Sequence, residues 1–112
     1  MTARTRTPTE FEQRVYQLLE KIPCGKVTTY AEMARALNCH SAQAIGQALK
    51  RNPYAPQVPC HRVIKTDLTI GGYSGKTSGS QLKKKLRLLR EEGVEFDTEG
   101  KLLTKGVVFQ IV

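Results

Sequence analysis

The fold of this chain is decided by residues 29–51, which read TYAEMARALNCHSAQAIGQALKR. Thr29 and the glutamate three residues after it have the spacing of a capping box, which predicts a helix from Tyr30 to Leu37. After a short turn, Ser41 is a suitable N-cap for a second helix, which extends from Ala42 to about Arg51. Two short helices separated by a turn of a few residues have the dimensions of a helix-turn-helix.

Small side chains recur along the second of these helices, at Ala42, Ala44, Gly46 and Ala48. They would let its backbone approach a ligand closely, although tight packing of one helix on another explains them equally well. The charge favours the ligand, because 18 Lys+Arg against 10 Asp+Glu give the 112 residues a formal net charge of +8. A basic field of this size attracts phosphate backbones, so we predict that the segment docks on DNA.

The flanking sequence completes a mainly α, winged-helix-like domain. Apolar residues at helical spacing predict a first helix from Pro8 to Ile22 and a last one from Ser80 or Gln81 to about Glu92. Thr7 and Thr9 each offer a capping box for the first helix. The basic residues of the last helix are expected largely on its outer side, and they are Lys83, Lys84, Lys85, Arg87 and Arg90. The segment 94–103 predicts a small C-terminal β-hairpin.

The composition bounds the class of protein. We expect residues 1–8 to be a flexible N-terminal tail and residues 9–112 to form one domain. The chain has no Trp and only three Phe, too few to anchor a basic helix in a membrane surface, and no apolar run is long enough to span a bilayer. No signal peptide is recognisable, so we expect an intracellular protein, in the cytoplasm or nucleoid of a prokaryote or the nucleus of a eukaryote.

The three cysteines cannot all pair within one chain, and we expect them to be reduced thiols. A zinc site can be drawn from Cys39, His40, Cys60 and His61. Adjacent Cys-His pairs, however, do not match the usual spacings of structural zinc ligands. We therefore predict no metal and no other cofactor.

The chemistry of the chain is concentrated at Pro59-Cys60-His61-Arg62-Val63. A cysteine attacks as the thiolate, which a neighbouring histidine and arginine favour, and Cys24 and Cys39 have less support of this kind. From the residues alone, a buried structural cysteine is still the favoured interpretation. Residues 60–64 fit a short strand and a turn of helix equally well.

Four stretches of sequence form a wider pattern around this cysteine, and they are Gly46, Asn52-Pro53, Pro59-Cys60-His61-Arg62-Val63-Ile64 and Gly72-Tyr73-Ser74-Gly75. Together they resemble the O6-alkylguanine-DNA alkyltransferase family, the methylated-DNA–protein-cysteine methyltransferases. The likeness extends from about Phe11 to Phe96 and includes IPCGKVTTY at residues 22–30. It implies that a guanine is flipped out of double-stranded DNA and that its O6-alkyl group is transferred once, irreversibly, to Cys60.

The resemblance also implies the roles of the catalytic residues. Cys60 is the alkyl acceptor, and a water couples its thiol to His61, which Glu92 holds in place. Tyr30 lies over the departing guanine and can supply a proton to it. Asn52 braces the active-site turn.

Other residues are implied to contact the substrate and the DNA, and they are Ala42, Gln43, Ala44, Gly46, Arg62, Tyr73 and Ser74. The second helix of the helix-turn-helix would enter the minor groove, and the loop of Tyr73 and Ser74 would close over the flipped base. Gln43 departs from the family, which usually has an arginine there to fill the space that the base vacates. A glutamine can still insert, but it lacks the cation.

The resemblance implies a monomer whose partner is double-stranded DNA containing O6-alkylguanine. Many members have an additional N-terminal domain, and this chain begins almost directly with the DNA-binding domain. The short form also characterises alkyltransferase-like proteins, which bind O6-alkylguanine without removing the alkyl group and signal to nucleotide excision repair. These proteins typically have tryptophan in place of the thiol, so Cys60 favours the enzyme. A winged-helix transcription factor would explain the charge and the fold, but not the Cys-His-Arg cluster.

Overall fold

The computed structural model describes residues 8–55, 57–71 and 79–111. In chain order its elements are α1 (Glu10–Leu19), β1 (Thr28–Thr29), α2 (Tyr30–Leu37), α3 (Ala42–Lys50), a 3-10 turn (Cys60–Arg62), β2 (Val63–Ile64) and α4 (Gly79–Glu91). This is the mainly helical architecture that the sequence predicts. No helix in the described ranges has the length and apolar character that crossing a bilayer requires.

Helix α1 begins at the second of the two possible capping boxes. The Thr9 hydroxyl accepts a hydrogen bond from the backbone N–H of Glu12 at 3.1 Å, and the Glu12 carboxylate accepts one from the N–H of Thr9 at 3.0 Å. The regular helix ends at Leu19, earlier than predicted. Lys21 and Ile22 continue it with bonds to the third residue back, the tighter pattern that often precedes a proline.

The helix-turn-helix is confirmed, and local capping chemistry explains both of its helices. The Thr29 hydroxyl accepts from the N–H of Glu32 at the start of α2, and the Ser41 hydroxyl accepts from the N–H of Ala44 at the start of α3. Helix α2 ends at Asn38, which adopts the left-handed conformation with φ 52°. Asparagine tolerates that conformation better than most residues, so the chain turns sharply into α3.

The small parallel sheet is a feature that the sequence did not predict. Thr28 pairs with Val63 and Thr29 pairs with Ile64. Both readings of residues 60–64 are therefore correct in part, since a 3-10 turn leads directly into a strand. The C-terminal segment extends the sheet, because Val27 donates to the carbonyl of Val107 at 2.8 Å and accepts from Phe109.

The sheet divides the core into two clusters. Val63 belongs to a cluster formed mainly by helices α1, α2 and α3, which Ile111 and Leu88 also join. Ile64 belongs to a cluster formed mainly by α4, Ile70 and the segment that follows α4. Adjacent residues of a strand point to opposite faces, so the two clusters lie on opposite sides of the sheet. The predicted hairpin is confirmed on the α4 side, where Phe96 pairs with Leu102 in antiparallel fashion.

Candidate active site and DNA interface

Cys60 is the first residue of the 3-10 turn and is 8% exposed. Asn52 contacts the loop in front of it, and its role in bracing the active-site turn stays a prediction. Its side-chain amide donates to the carbonyl of Val58 at 2.8 Å, and its side-chain oxygen accepts from the N–H of Tyr54 at 2.9 Å. The N–H of Cys60 donates to that same Val58 carbonyl, so the loop and the turn are held together.

His61 and Glu92 meet although 31 residues separate them in sequence. The imidazole is 2% exposed, and its Nε2 lies 2.8 Å from Oε2 of Glu92. Glu92 follows the last residue of α4, where Gly93 adopts φ +90° and Val94 donates back to the carbonyl of Leu89. This glycine cap ends the helix and leaves the Glu92 carboxylate beside the histidine.

Arg62 completes this cluster. Its Nε donates to Oε1 of Glu92 at 2.8 Å and its Nη2 to Oε2 at 2.9 Å, which is the paired geometry of a guanidinium on a carboxylate. A third bond runs from Nη1 to the carbonyl of Ile22 at 2.7 Å. Arg62, which the sequence places among the DNA contacts, therefore directs its guanidinium into the protein, and a contact of this residue with DNA stays a prediction.

The electrostatics of the cluster suit a proton acceptor. Burial lowers the pKa of His61, and the hydrogen bond and charge of Glu92 oppose that shift only in part. Burial alone would raise the pKa of Glu92, but the hydrogen bonds from Arg62 and His61 outweigh burial and hold it below its usual range. A neutral imidazole that donates Nε2–H to the carboxylate keeps a lone pair on Nδ1. Among the described residues Nδ1 has no hydrogen-bond partner, so it can accept a proton.

Lys85 was expected on the outer side of α4, and that expectation is wrong. The side chain is 1% exposed, and its Nζ donates to the carbonyls of Val63 at 2.8 Å and Ile70 at 2.6 Å. Burial lowers its pKa to about 7, although negative charge on Cys60 opposes that shift. The spacing contains the signal, because Lys85 lies between Leu82 and Leu89 on one helical stripe.

A groove of about 620 Å³ runs between α3 and the turn at residues 65–67, and its lining residues are Tyr30, Ala42, Gln43, Gly46, Lys65, Thr66 and Asp67. A side chain added at Gly46 would meet no atom of the described residues within 4 Å. Ala48, in contrast, is 1% exposed and packs in the core. The small residues of α3 thus divide: Ala48 serves helix packing, while Ala42 and Gly46 keep an open surface accessible.

Tyr30 lies between the groove and a second cavity of about 620 Å³ that α4 and the hairpin also line. Burial raises the pKa of its phenol, and negative charge on Cys60 raises it further, so the phenol keeps its proton. Ala44, the remaining small residue of α3, is half-buried. Tyr73 and Ser74 fall outside the described residues, so their predicted closure over a base has no structural account.

Comparisons with known proteins agree with this geometry. Residues 10–94 match the family described as 6-O-methylguanine DNA methyltransferase, DNA binding domain. A methylated-DNA–protein-cysteine methyltransferase of Archaeoglobus fulgidus is 48% identical over 87 residues, which are 75% of this chain and 56% of that protein. The chain spans about half the length of the curated relatives it matches.

Two solved structures represent the two kinds of neighbour. The crystal structure of O6-methylguanine-DNA methyltransferase from Pyrococcus kodakaraensis KOD1 aligns with a TM-score of 0.66 and 48% identity over 77% of this chain and 47% of its own. S. pombe Atl1, in complex with damaged DNA containing O6-carboxymethylguanine, aligns with a TM-score of 0.73 and 33% identity. That alignment covers 90% of this chain and 95% of Atl1.

Proposed function

This chain belongs to the 6-O-methylguanine DNA methyltransferase family, and from that premise we propose that it repairs O6-alkylguanine in double-stranded DNA directly. The alkyl group passes to the sulfur of Cys60, which is not regenerated, so each molecule acts once. The observation that carries the proposal is the buried thiol next to a neutral His61 whose Nε2 is held by Glu92. Nucleophile, base and orienting carboxylate are the three parts of an activated nucleophile.

The proposed reaction is a single displacement. A water passes the thiol proton to Nδ1 of His61, and a bond forms between Sγ of Cys60 and the alkyl carbon while the bond from that carbon to O6 breaks. The electron pair stays on the guanine, which takes a proton from Tyr30. The raised pKa of Tyr30 keeps the phenol protonated until that step.

The DNA is proposed to bind along the open side of α3. The flipped nucleotide loses its stacking, which costs about a few kcal/mol, and the groove beside Tyr30 offers space for it. Gln43 lines that groove, and we propose that it fills the gap left in the base stack. Its amide can hydrogen-bond to the unpaired base, but it adds no positive charge.

Residues 9–112 are proposed to act as one alkyltransferase domain and as a monomer. The proposal needs no cofactor, since the thiol itself accepts the alkyl group. The loop of Tyr73 and Ser74 is proposed to close over the flipped base.

The test is the mass of the protein after incubation with a duplex containing one O6-methylguanine. We expect one added methyl group, located on the peptide that contains Cys60, and stoichiometric loss of the methyl group from the DNA. Cys60→Ala should bind the same duplex without a mass change. Cys24→Ala and Cys39→Ala are matched controls that should react like the wild type. A protein that binds tightly and stays unmodified would contradict the proposal.

One observation favours a second function. S. pombe Atl1, in complex with damaged DNA, aligns with a TM-score of 0.73, compared with 0.66 for the Pyrococcus methyltransferase. The alternative is a sensor that binds O6-alkylguanine DNA without removing the alkyl group and recruits nucleotide excision repair proteins. The mass measurement separates the two functions, because the sensor would leave Cys60 unmodified.

A further inference from the structure

A strip of positive charge covers the outer side of α4. Its members are exposed, and they are Lys83, Lys84, Arg87 and Arg90. Residues four and three positions apart lie on the same side of a helix, so Lys83, Arg87 and Arg90 form one row. We call these four residues the α4 basic strip. The opposite side of the helix is buried through Lys85 and Leu89.

The DNA-reading helix is poor in charge by comparison. Within Ala42–Lys50 the only cation is Lys50, at the end of the helix, and Gln43 is neutral. Helix α4 carries five of the 18 Lys+Arg of the chain, of which only Lys85 is buried. The exposed cations of α4 therefore outnumber those of α3.

Helix α4 packs mainly on the other face of the small sheet from α3. Val63 packs with α3 and Ile64 packs with α4, and these adjacent residues of β2 point to opposite faces of the sheet. The outer side of α4 faces away from the sheet.

We propose that the α4 basic strip binds the phosphate backbone of a second segment of DNA while α3 occupies the duplex with the lesion. Four exposed cations, three of them in one row, complement the regular negative charge of a duplex and require no base contact. Acidic neighbours do not cancel the strip. Glu91 is 4.0 Å from Arg87, but both side chains are about two thirds exposed, and such a pair is weak and screened by salt.

The phosphate backbone is favoured over a lipid surface. A helix that lies on a membrane inserts an apolar side between the headgroups. The apolar side of α4 is turned into the core instead, where Leu82, Leu86 and Leu89 pack against Ile64 and Ile70. The strip therefore offers charge without an anchor.

The test compares two variants with four substitutions each. The first replaces the strip with glutamine (K83Q, K84Q, R87Q and R90Q), and the second keeps the charge and serves as control (K83R, K84R, R87K and R90K). One duplex is immobilised and saturated with protein, and capture of a second, fluorescent duplex is measured from about 50 to 200 mM salt. Wild type and control should capture the second duplex. The glutamine variant should lose capture at least about tenfold, and its log–log salt slope should fall by about 0.9 for each lost phosphate contact.

Separate measurements on a short duplex with a lesion distinguish a failure of this inference from a failure of the proposed function. The inference depends on the proposed function only for the assignment of α3, so alkyl transfer and binding at α3 are read independently of capture. The glutamine variant should bind the short duplex within about twofold of wild type, which also shows that it is folded.

Equal capture by both variants would overturn the proposal. The proposal would also be overturned if the salt slope of binding to the single short duplex depended on the strip and no second duplex were captured. The strip would then contact the same DNA as α3. Strip-dependent binding to phosphatidylserine vesicles together with unchanged capture would overturn it as well. Loss of alkyl transfer with intact capture would instead contradict the proposed function.

Discussion

Replacing Arg62 with methionine should destabilise the protein by about 3 kcal/mol without weakening its electrostatic attraction to DNA. The substitution removes two bonds to Glu92 and one to the carbonyl of Ile22. Removing one partner of a buried ion pair costs about 3–5 kcal/mol, because the other charge is left without compensation. The side chains of Arg62 and Glu92 keep 15% and 14% exposure, and His61 still contacts the carboxylate, so we expect the lower end of that range.

Denaturation in urea at pH 7 measures this loss, which corresponds to about 13 °C in Tm for a domain of this size. Arg90→Met, at an exposed position of the last turn of α4, is the matched control and should cost less than about 0.5 kcal/mol. The double variant of Arg62→Met and Glu92→Gln should cost less than the sum of the single variants, because each single variant already breaks the same pair.

The competing role of Arg62, a contact with a DNA phosphate, makes the opposite prediction. Under that role the variant would be nearly as stable as wild type, and the salt slope of DNA binding would fall by about 0.9. We expect an unchanged slope. A loss of stability below about 1 kcal/mol combined with a reduced slope would refute the assignment of Arg62 to the His61–Glu92 cluster.

Three further predictions concern single groups. Because burial lowers the pKa of His61, the rate of single-turnover alkyl transfer should fall in acid with a midpoint below about pH 6.5. Rapid-quench measurements from pH 5 to 8 check this, and a higher midpoint would contradict it. Gln43→Arg should strengthen binding to lesion DNA by about fivefold or more, because it adds a charged contact. Fluorescence anisotropy measures the affinity, and an unchanged value would show that the side chain at position 43 does not need a positive charge. Burial lowers the pKa of Lys85 to about 7, so above that pH the folded state binds fewer protons than the unfolded state. The free energy of unfolding should therefore rise with pH from about 7 towards 10. Lys85→Met should flatten that rise in urea titrations at pH 7, 8 and 9, and identical slopes for variant and wild type would contradict it.

The helices could be predicted from sequence because their signals are local. The hydroxyls of Thr9, Thr29 and Ser41 each bond to a backbone N–H three residues later, and a window of four residues is enough to recognise that pattern. The C-terminal hairpin was predictable for the same reason, since its two sides are close in the chain. The two-residue strands were not, because they are too short to show alternation and they pair across more than thirty residues.

The candidate site was predictable in its members but not in its geometry. Sequence resemblance placed Cys60, His61 and Glu92 in one site, and the structure brings the last two within 2.8 Å. The sequence resemblance could not show that Arg62 binds the same Glu92 carboxylate, because a residue adjacent to His61 could equally well contact DNA. Lys85 shows the other limit: a lysine is expected to be exposed, and only the surrounding carbonyls of Val63 and Ile70 explain its burial.

By itself the sequence determined the basic charge, which is a sum over the chain. It also determined the order of the helices, the helix-turn-helix and the Cys-His-Arg motif, because these depend on residues near one another in the chain. Only the tertiary structure decided which charged side chains are buried, which are paired and which are exposed. Arg62 turns inward to Glu92, Lys85 enters the core, and the other four cations of α4 lie on its exposed side. The direction of a side chain depends on partners that are distant in sequence, and those partners come together only when the chain folds.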